Sequence, residues 1–544
     1  MPQPRRAGLH AALWATLLLT SALSAPATAA TATADQAQAV ERELHDWLQG
    51  VLGSAVTVPD RPVQLTPEGG DYALVIPFSP DAAITGHLTP QDDGRWLLTS
   101  LKLPSPATFT LSLPTPPKDG QPQPPTERTY QFSVARQNVT GTLDPSYQVA
   151  STFQQRFEGL QLSSSGGGFK QTSQAAHSSS ETTLTPAADG RFDLTANAAI
   201  DGYLVDNRAD SGFTVHVLAD RGRGTTQLSS ISPDKGPALL RNAISFVVQT
   251  MADVNDAGSD PGRLTAEQQA RLKSGLRALV DALDGFASGM QMDDSLENVQ
   301  VQAGDASRSY SGIAQRATLG FGASAPDGIL KIYLDVGVEG LSVPGLLASA
   351  GVPQYAELLP TEVHLRPTLA GIGTKELLAL ARQALDAADG QAPSPDPAPL
   401  FAHGGIVAGL DAVSFNLGQT RFEGRGTVTM TAPSPDALTG QGQVTATNFD
   451  ALIERAKQDP LIQRALPALI GFKGVGRSSG DQIVWDITYQ DGRPLVNGVD
   501  IMALASSSGS SGGTDIVPRP RAPVAPTPAP APRAPSLPGK PPPR

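Results

Sequence analysis

The stretch "RGTVTMTAPSPDALTGQGQVTATNFDAL", Arg425 to Leu452, decides the fold class. It reads as strand, turn, strand, then helix. Thr, Gly, Val and Ala dominate it. It holds two Asp residues and no His, Cys, Lys or Glu. Such a segment can pleat and turn, but it carries no acid–base or nucleophilic chemistry.

The same texture extends in both directions. In "ILKIYLDVGVEGL" (Ile329–Leu341), Ile332, Leu334, Val336 and Val338 fall on one side, and Lys331, Tyr333, Asp335 and Glu339 on the other. That alternation predicts a half-buried antiparallel strand. "DYALVIPFS", "RWLLTSLKL", "TFTLSL", "RTYQFSVARQNVTGTLD", "RFEGLQLSSS", "GRFDLTANAAIDGYLVD", "SGFTVHVLADRG", "NVQVQAGD" and "EVHLRPTLAGI" are further strand signals, punctuated by Gly, Pro and Asp. The polar run "SSSGGGFKQTSQAAHSSS" (Ser163–Ser180) reads as a flexible loop or the rim of a flat sheet.

Helical spacing interrupts this pattern. Val40, Leu44, Trp47, Leu48 and Val51 share one face of a helix over 36–53. "KGPALLRNAISFVVQTMADV" and "LTAEQQARLKSGLRALVDALDGFASGM" form a helical hairpin over about 235–290, with a Thr265/Gln268 capping box. "VPGLLASAGVPQYAELLP" is a short helical excursion, and "TKELLALARQALDAAD" is a helix. "NFDALIERAKQDPLIQRALPALIG" reads as a helix running on from the opening stretch. "DQIVWDITYQDGRPLVNGVDI" closes the fold as a hairpin around Asp491-Gly492. The expected fold is therefore α+β and β-dominated: long curved antiparallel sheets with several covering amphipathic helices.

The chain has 544 residues, with 54 Gly, 48 Pro and only 5% aromatics, so Val, Leu, Ile and Ala must build its core. A net charge of −12, with both signs interspersed, argues against a nucleic-acid partner. Arg5 and Arg6, an apolar run, and "ATA" at 27–29 spell a cleavable signal peptide and hence a periplasmic or secreted protein. No later run reaches the ~18 apolar residues of a membrane-spanning helix. The expected divisions are a signal peptide at 1–30, a β-rich domain at 31–234, the helical hairpin at 235–296 and a second β-rich domain with helices at 297–504. A disordered Ser/Gly then Pro-rich tail follows at 505–544. From Val517 onward that tail is basic and free of acids; it reads as a solubilising tail or as a basic tether to an envelope protein or an anionic polymer.

A search for catalytic groups yields none. The chain contains no Cys, which removes thiol chemistry and Cys–metal sites. His10, His45, His87, His177, His216, His364 and His403 are all too far apart for an HExxH motif. The Ser-rich runs, including "GRSSG" (476–480) and "GSSGG" (509–513), read as Gly/Ser turns and linkers rather than a nucleophile elbow, and no phosphate loop appears. Asp293/Asp294 and Glu357/Glu362 read as solvated loop pairs. "DVNDAGSDPGRLTAEQ" fails as a calcium loop in either register, because Leu264, or else Gly258 and Pro261, occupies a required position. No catalytic, cofactor or metal residues are assigned.

"NFDALIERA" following paired strands, together with the final "ITYQDGRPLVNGVDIMAL" and its Asn497-Gly498 turn, resembles the C-terminal part of the YdgA-like periplasmic proteins of unknown function and their AsmA-like kin. The resemblance covers about 320–504. It implies long curved sheets in the envelope and, through the AsmA-like members, lipid transport or outer-membrane assembly. It transfers no catalytic residue. The function expected is a non-enzymatic envelope protein that binds a lipid, another amphiphile or a hydrophobic partner on a sheet face containing Ile332, Leu334, Val336 and Val338. The alternatives are an interaction module with a closed core and a hydrolase without a recognisable motif.

Overall fold

The computed structural model describes residues 32–52, 63–79, 82–113, 126–144, 149–236, 265–343, 359–386, 396–460, 462–490 and 492–500, apart from 167, 234 and 306–308. Isolated positions between 237 and 264 and at 345 are described as well. The signal peptide at 1–30, the Pro-rich segment 114–125, most of the 343–360 excursion and the tail at 505–544 lie outside the described residues, as do Gly53 and the failed calcium loop up to Leu264.

Helix α1 (Ala34–Leu52) packs its Ala37, Val40 and Leu44 onto the first strands. These are β1 (Gln64–Glu68), β2 (Asp71–Ser79), β3 (Ala82–Pro90) and β4 (Trp96–Lys102). The Tyr72 hydroxyl donates to Gln36 Oε1 at 2.8 Å and accepts from the Thr33 amide at 2.8 Å. Glu41 accepts from the Leu65 amide at 2.6 Å. The helix is thus fixed by hydrogen bonds as well as by burial.

The next four strands branch. β5 (Ala107–Leu113) pairs only with β6 (Thr126–Ser133) among the described residues. β7 (Arg136–Asp144) joins β4 to the first half of β8 (Val149–Gly166), and β6 takes the far end of β8. Beyond β8 the sheet is an antiparallel meander. Each strand pairs with the next: β9 (Phe169–Pro186), β10 (Phe192–Ala209), β11 (Thr214–Ile231), β12 (Gly289–Gly304), β13 (Ser309–Ser324), β14 (Ile329–Glu339), β15 (Glu362–Gly373), β16 (Ile406–Leu417), β17 (Thr420–Met430) and β18 (Leu438–Thr447). β19 (Arg477–Ser479) and β18 both flank β20 (Gln482–Gln490), which turns into β21 (Arg493–Val496). No described pairing joins β1 to β20 or β21, so these pairings do not close the sheet into a barrel. The fold is α+β and β-dominated, as the alternating segments required.

Helices enter at strand ends. α2 (Ala266–Leu283) lies between β11 and β12, and the capping box forms as expected: Thr265 accepts from the Gln268 amide while Gln268 accepts from that of Thr265. α3 (Thr374–Asp386) follows β15 directly. Arg277 pairs with Asp386, and Arg382 with Asp281 and Asp284, so ion pairs join α2 to α3. α4 (Phe449–Gln458) sets Phe449 edge-on to Trp485 at 5.5 Å and to Phe422 at 6.1 Å.

Several expectations need correction. The single helix expected from Asn448 to Gly471 is two, α4 and α5 (Leu466–Val475). Pro460 lacks an amide donor and cannot continue a helix, so α4 stops just before it. Ser163–Ser180 is no flexible loop but the end of β8 and most of β9. Being paired on both sides, β9 gains two ladders, which outweighs the weak strand preference of its polar residues. β12 begins at Gly289 rather than near Asn298 and pairs with β11. The lines drawn at 234/235 and 296/297 therefore fall between adjacent strands and inside β12. Asp293 and Asp294 lie in that strand, not in a loop.

Candidate apolar sheet face

The strand registers carry each face from strand to strand, because directly paired residues share a side. One row runs Leu184, Leu194, Leu228, Met290, Ala323, Ile332, Leu369, Ala408, Val428. The next includes Phe153, Thr182, Ala196, Thr226, Met292, Phe321 and Leu334. A third passes from Gln155 and Ser180 through Ala198, Gly224 and Asp294 to Leu319, Val336, Leu365, Val413, Gly424, Val444 and Trp485. A fourth links Phe157, Ser178, Ile200, Gly222, Leu296, Ala317, Val338, Val363, Phe415, Phe422 and Ala446.

The four residues singled out in β14 thus belong to an apolar surface that crosses the sheet. Both ends of that surface are covered. At one end Phe153 and Phe157 are buried with α1 and the first strands; at the other Ala446 and Trp485 are buried beside α4. Phe286 and Ala287, just past α2, pack with Leu194 and Leu228 against the buried Leu184, Phe192 and Ile231 at a strand end. Between these covers the face opens. Met290 and Leu334 are each 39% exposed, Leu365 38% and Val428 42%. Ile332, Val336 and Val338 are half-buried.

The opposite face is polar. Tyr333 lies over Gly322, where a Cβ would strike its ring, and Arg366 stacks on Tyr333 at 4.5 Å. His364 Nε2 lies 2.7 Å from Asp335 Oδ1, and Arg366 lies 3.7 Å from the other oxygen. Burial, and next the Asp293 carboxylate, push the Tyr333 phenol up. Farther along, Arg221 bridges Asp201 at 3.6 Å and Glu297 at 3.2 Å. His364 is therefore a partnered strand residue, and His403 pairs with Glu376 at 3.5 Å beside α3. The amide at Glu376's own position holds its carboxyl below the usual range. Among the described residues no group of three His, Asp or Glu is arranged to hold a metal ion. A shallow cleft of about 320 Å³ lies between α3 and Asp396–Leu400, apart from the four β14 residues.

Simple alternation could not have traced the whole apolar face, because the inward set changes parity. In β8, Phe157 and Leu160 are both buried; in β11, Gly222 and Ala219 are both inward. The switch falls along one line across the strands. Gly159, Gly202 and Asn298 have φ of 63°, 61° and 53° there, and the ladder is interrupted at each. Asn298 donates to Asp220 on the neighbouring strand at 2.8 Å. A left-handed residue inside a strand turns the next side chain to the other face, a form of bulge. The Gly in "FEGLQ" and "IDGYL" was the available signal.

No protein-family model matches the chain, and neither a curated protein nor a solved structure matches it.

Proposed function

We propose that this chain is a non-catalytic, exported cell-envelope protein that carries an amphiphile on the open part of its apolar sheet face. The observation that carries this reading is the set of half-exposed apolar side chains, Met290, Leu334, Leu365 and Val428, on a face whose two ends are covered. The dimensions suit it. Four rows span six residue steps, about 20 Å along the strands, while half a bilayer core is ~15 Å. One acyl chain can therefore lie along a strand. The energetics suit it too. Half-burying sixteen methylenes at ~0.8 kcal/mol each yields roughly 6 kcal/mol, within the range of association costs. Binding of a single chain should be weak and readily reversed, as a carrier requires. The resemblance to YdgA-like and AsmA-like proteins points the same way.

A fluorescent fatty-acyl probe titrated into the purified protein tests this reading. Leu334→Asp and Leu365→Asp each place a charge on the open face and should weaken binding at least tenfold without loss of fold, since both sites are exposed. Probe binding that both variants leave unchanged would refute the carrier reading. Turnover of ester, phosphate, peptide or glycoside substrates, abolished by one substitution, would favour the hydrolase instead.

A further inference from the structure

The apolar face carries one polar strip. On the third row Gln155 is 3% exposed, and its Oε1 is buried with no hydrogen-bond partner among the described residues. Its inward neighbours on β8, Phe153 and Phe157, and its partner across the ladder, Val139, are all buried apolar residues. An unmet amide oxygen in such surroundings costs free energy that leucine or methionine there would not. On β9 the inward positions Ser178, Ser180 and Thr182 bring hydroxyls, and these are half-buried. Along this row burial therefore falls away between β8 and β9, with Gln155 at the border, while Ala175 of β9 still belongs to the sealed cluster. Two strands farther, Asp294 folds its carboxylate over Gly224, 2.5 Å from where a Cβ would stand. It is the only ionisable side chain on the four rows traced above.

We propose that Gln155, Ser180 and Asp294 form the head-group subsite for the bound amphiphile, and that it selects an uncharged head with several hydroxyl donors, as in a glycolipid. This rests on the reading that the open face carries an amphiphile. The strip runs from β8 to the Asp294 carboxylate above β11, three strand spacings or about 14 Å. One hydroxyl cannot span that distance, whereas a sugar head presents donors along it. The amide oxygen and the carboxylate are acceptors and the serine hydroxyl can also accept, so the head must donate. The carboxylate repels an anionic head, which gives selection by exclusion as well as attraction. From Asp294 the acyl chain turns along the strands over the open rows, past Met292 and Leu334 on the second and Met290 and Ile332 on the first.

Calorimetric titration with dodecyl maltoside and dodecyl phosphate, both kept below micelle formation, tests the subsite. The wild type should bind the maltoside at least tenfold more tightly. Gln155→Leu should lower maltoside affinity about tenfold and leave the phosphate unchanged. Asp294→Asn, at an exposed position where folding is not at risk, should raise phosphate affinity and narrow the ratio. Equal binding of the two ligands by the wild type, or a ratio unmoved by Asp294→Asn, would overturn the subsite and leave the carrier reading standing. Binding of neither ligand would overturn both.

Discussion

The first strands and the central strands of one sheet meet water differently. Around α1 the inward residues are sealed: Trp96 is 1% exposed and 5.6 Å from Tyr72, and Val139 is 0% exposed. From β10 to β17 the inward positions hold the same residue types, yet several stay more than a third exposed. Side-chain chemistry cannot explain the difference; the covering layer does. α1 lies on one region and α4 on the far end, while α2 and α3, between them, are tied to each other by the Arg277–Asp386 and Arg382–Asp281 ion pairs. An apolar strand face is a core only where something covers it.

That comparison can be broken by stability measurements. Trp96→Ala should cost ~3–5 kcal/mol in urea unfolding, because it empties a sealed site. Leu334→Ala should cost less than ~1 kcal/mol, the ordinary effect of an exposed position. Equal losses would mean that the central face is as closed as the first. Thr265→Ala removes the cap of α2 and should cost about 1 kcal/mol, visible as faster amide exchange in the first turn of that helix. Unchanged exchange there would show that tertiary contacts, not the cap, hold the helix end.

The smallest effect concerns pH. Hydrogen bonds from Arg382, then Arg277, hold Asp281 below the ordinary carboxylate range. A depressed folded-state value means that its contribution is fully present above the unfolded value near 3.8 and is lost as pH falls through the folded one. The α2–α3 contact should hold from neutral pH down to about 4 and loosen below, with salt weakening it throughout because the pairs are exposed. Amide exchange of α2 at pH 7 and pH 3 reads this directly. Loosening between pH 7 and 5 would assign the contact to another group.

Much of this fold was legible in the sequence for a local reason. Residues 329–339 alternate because one face is drier, and β17, β18 and α4 follow from turn and spacing signals in Arg425–Leu452. Alternation groups Ile332, Leu334, Val336 and Val338 on one side of β14, but it does not show how far that face extends. Its path runs through ladder partners tens of residues apart and through the left-handed Gly159, Gly202 and Asn298, which shift the parity that alternation assumes. The polar β9 was ambiguous because its stability comes from two neighbours rather than from its own residues. The orphaned oxygen of Gln155 was invisible, since burial without a partner is a property of packing.

Native mass spectrometry of the protein, purified from its native source without detergent, tests the central claim most directly. The account predicts a stoichiometric amphiphile that is released on lipid extraction and missing from the Leu334→Asp protein. A clean apo mass in the wild type, unchanged after lipid is offered, would contradict it.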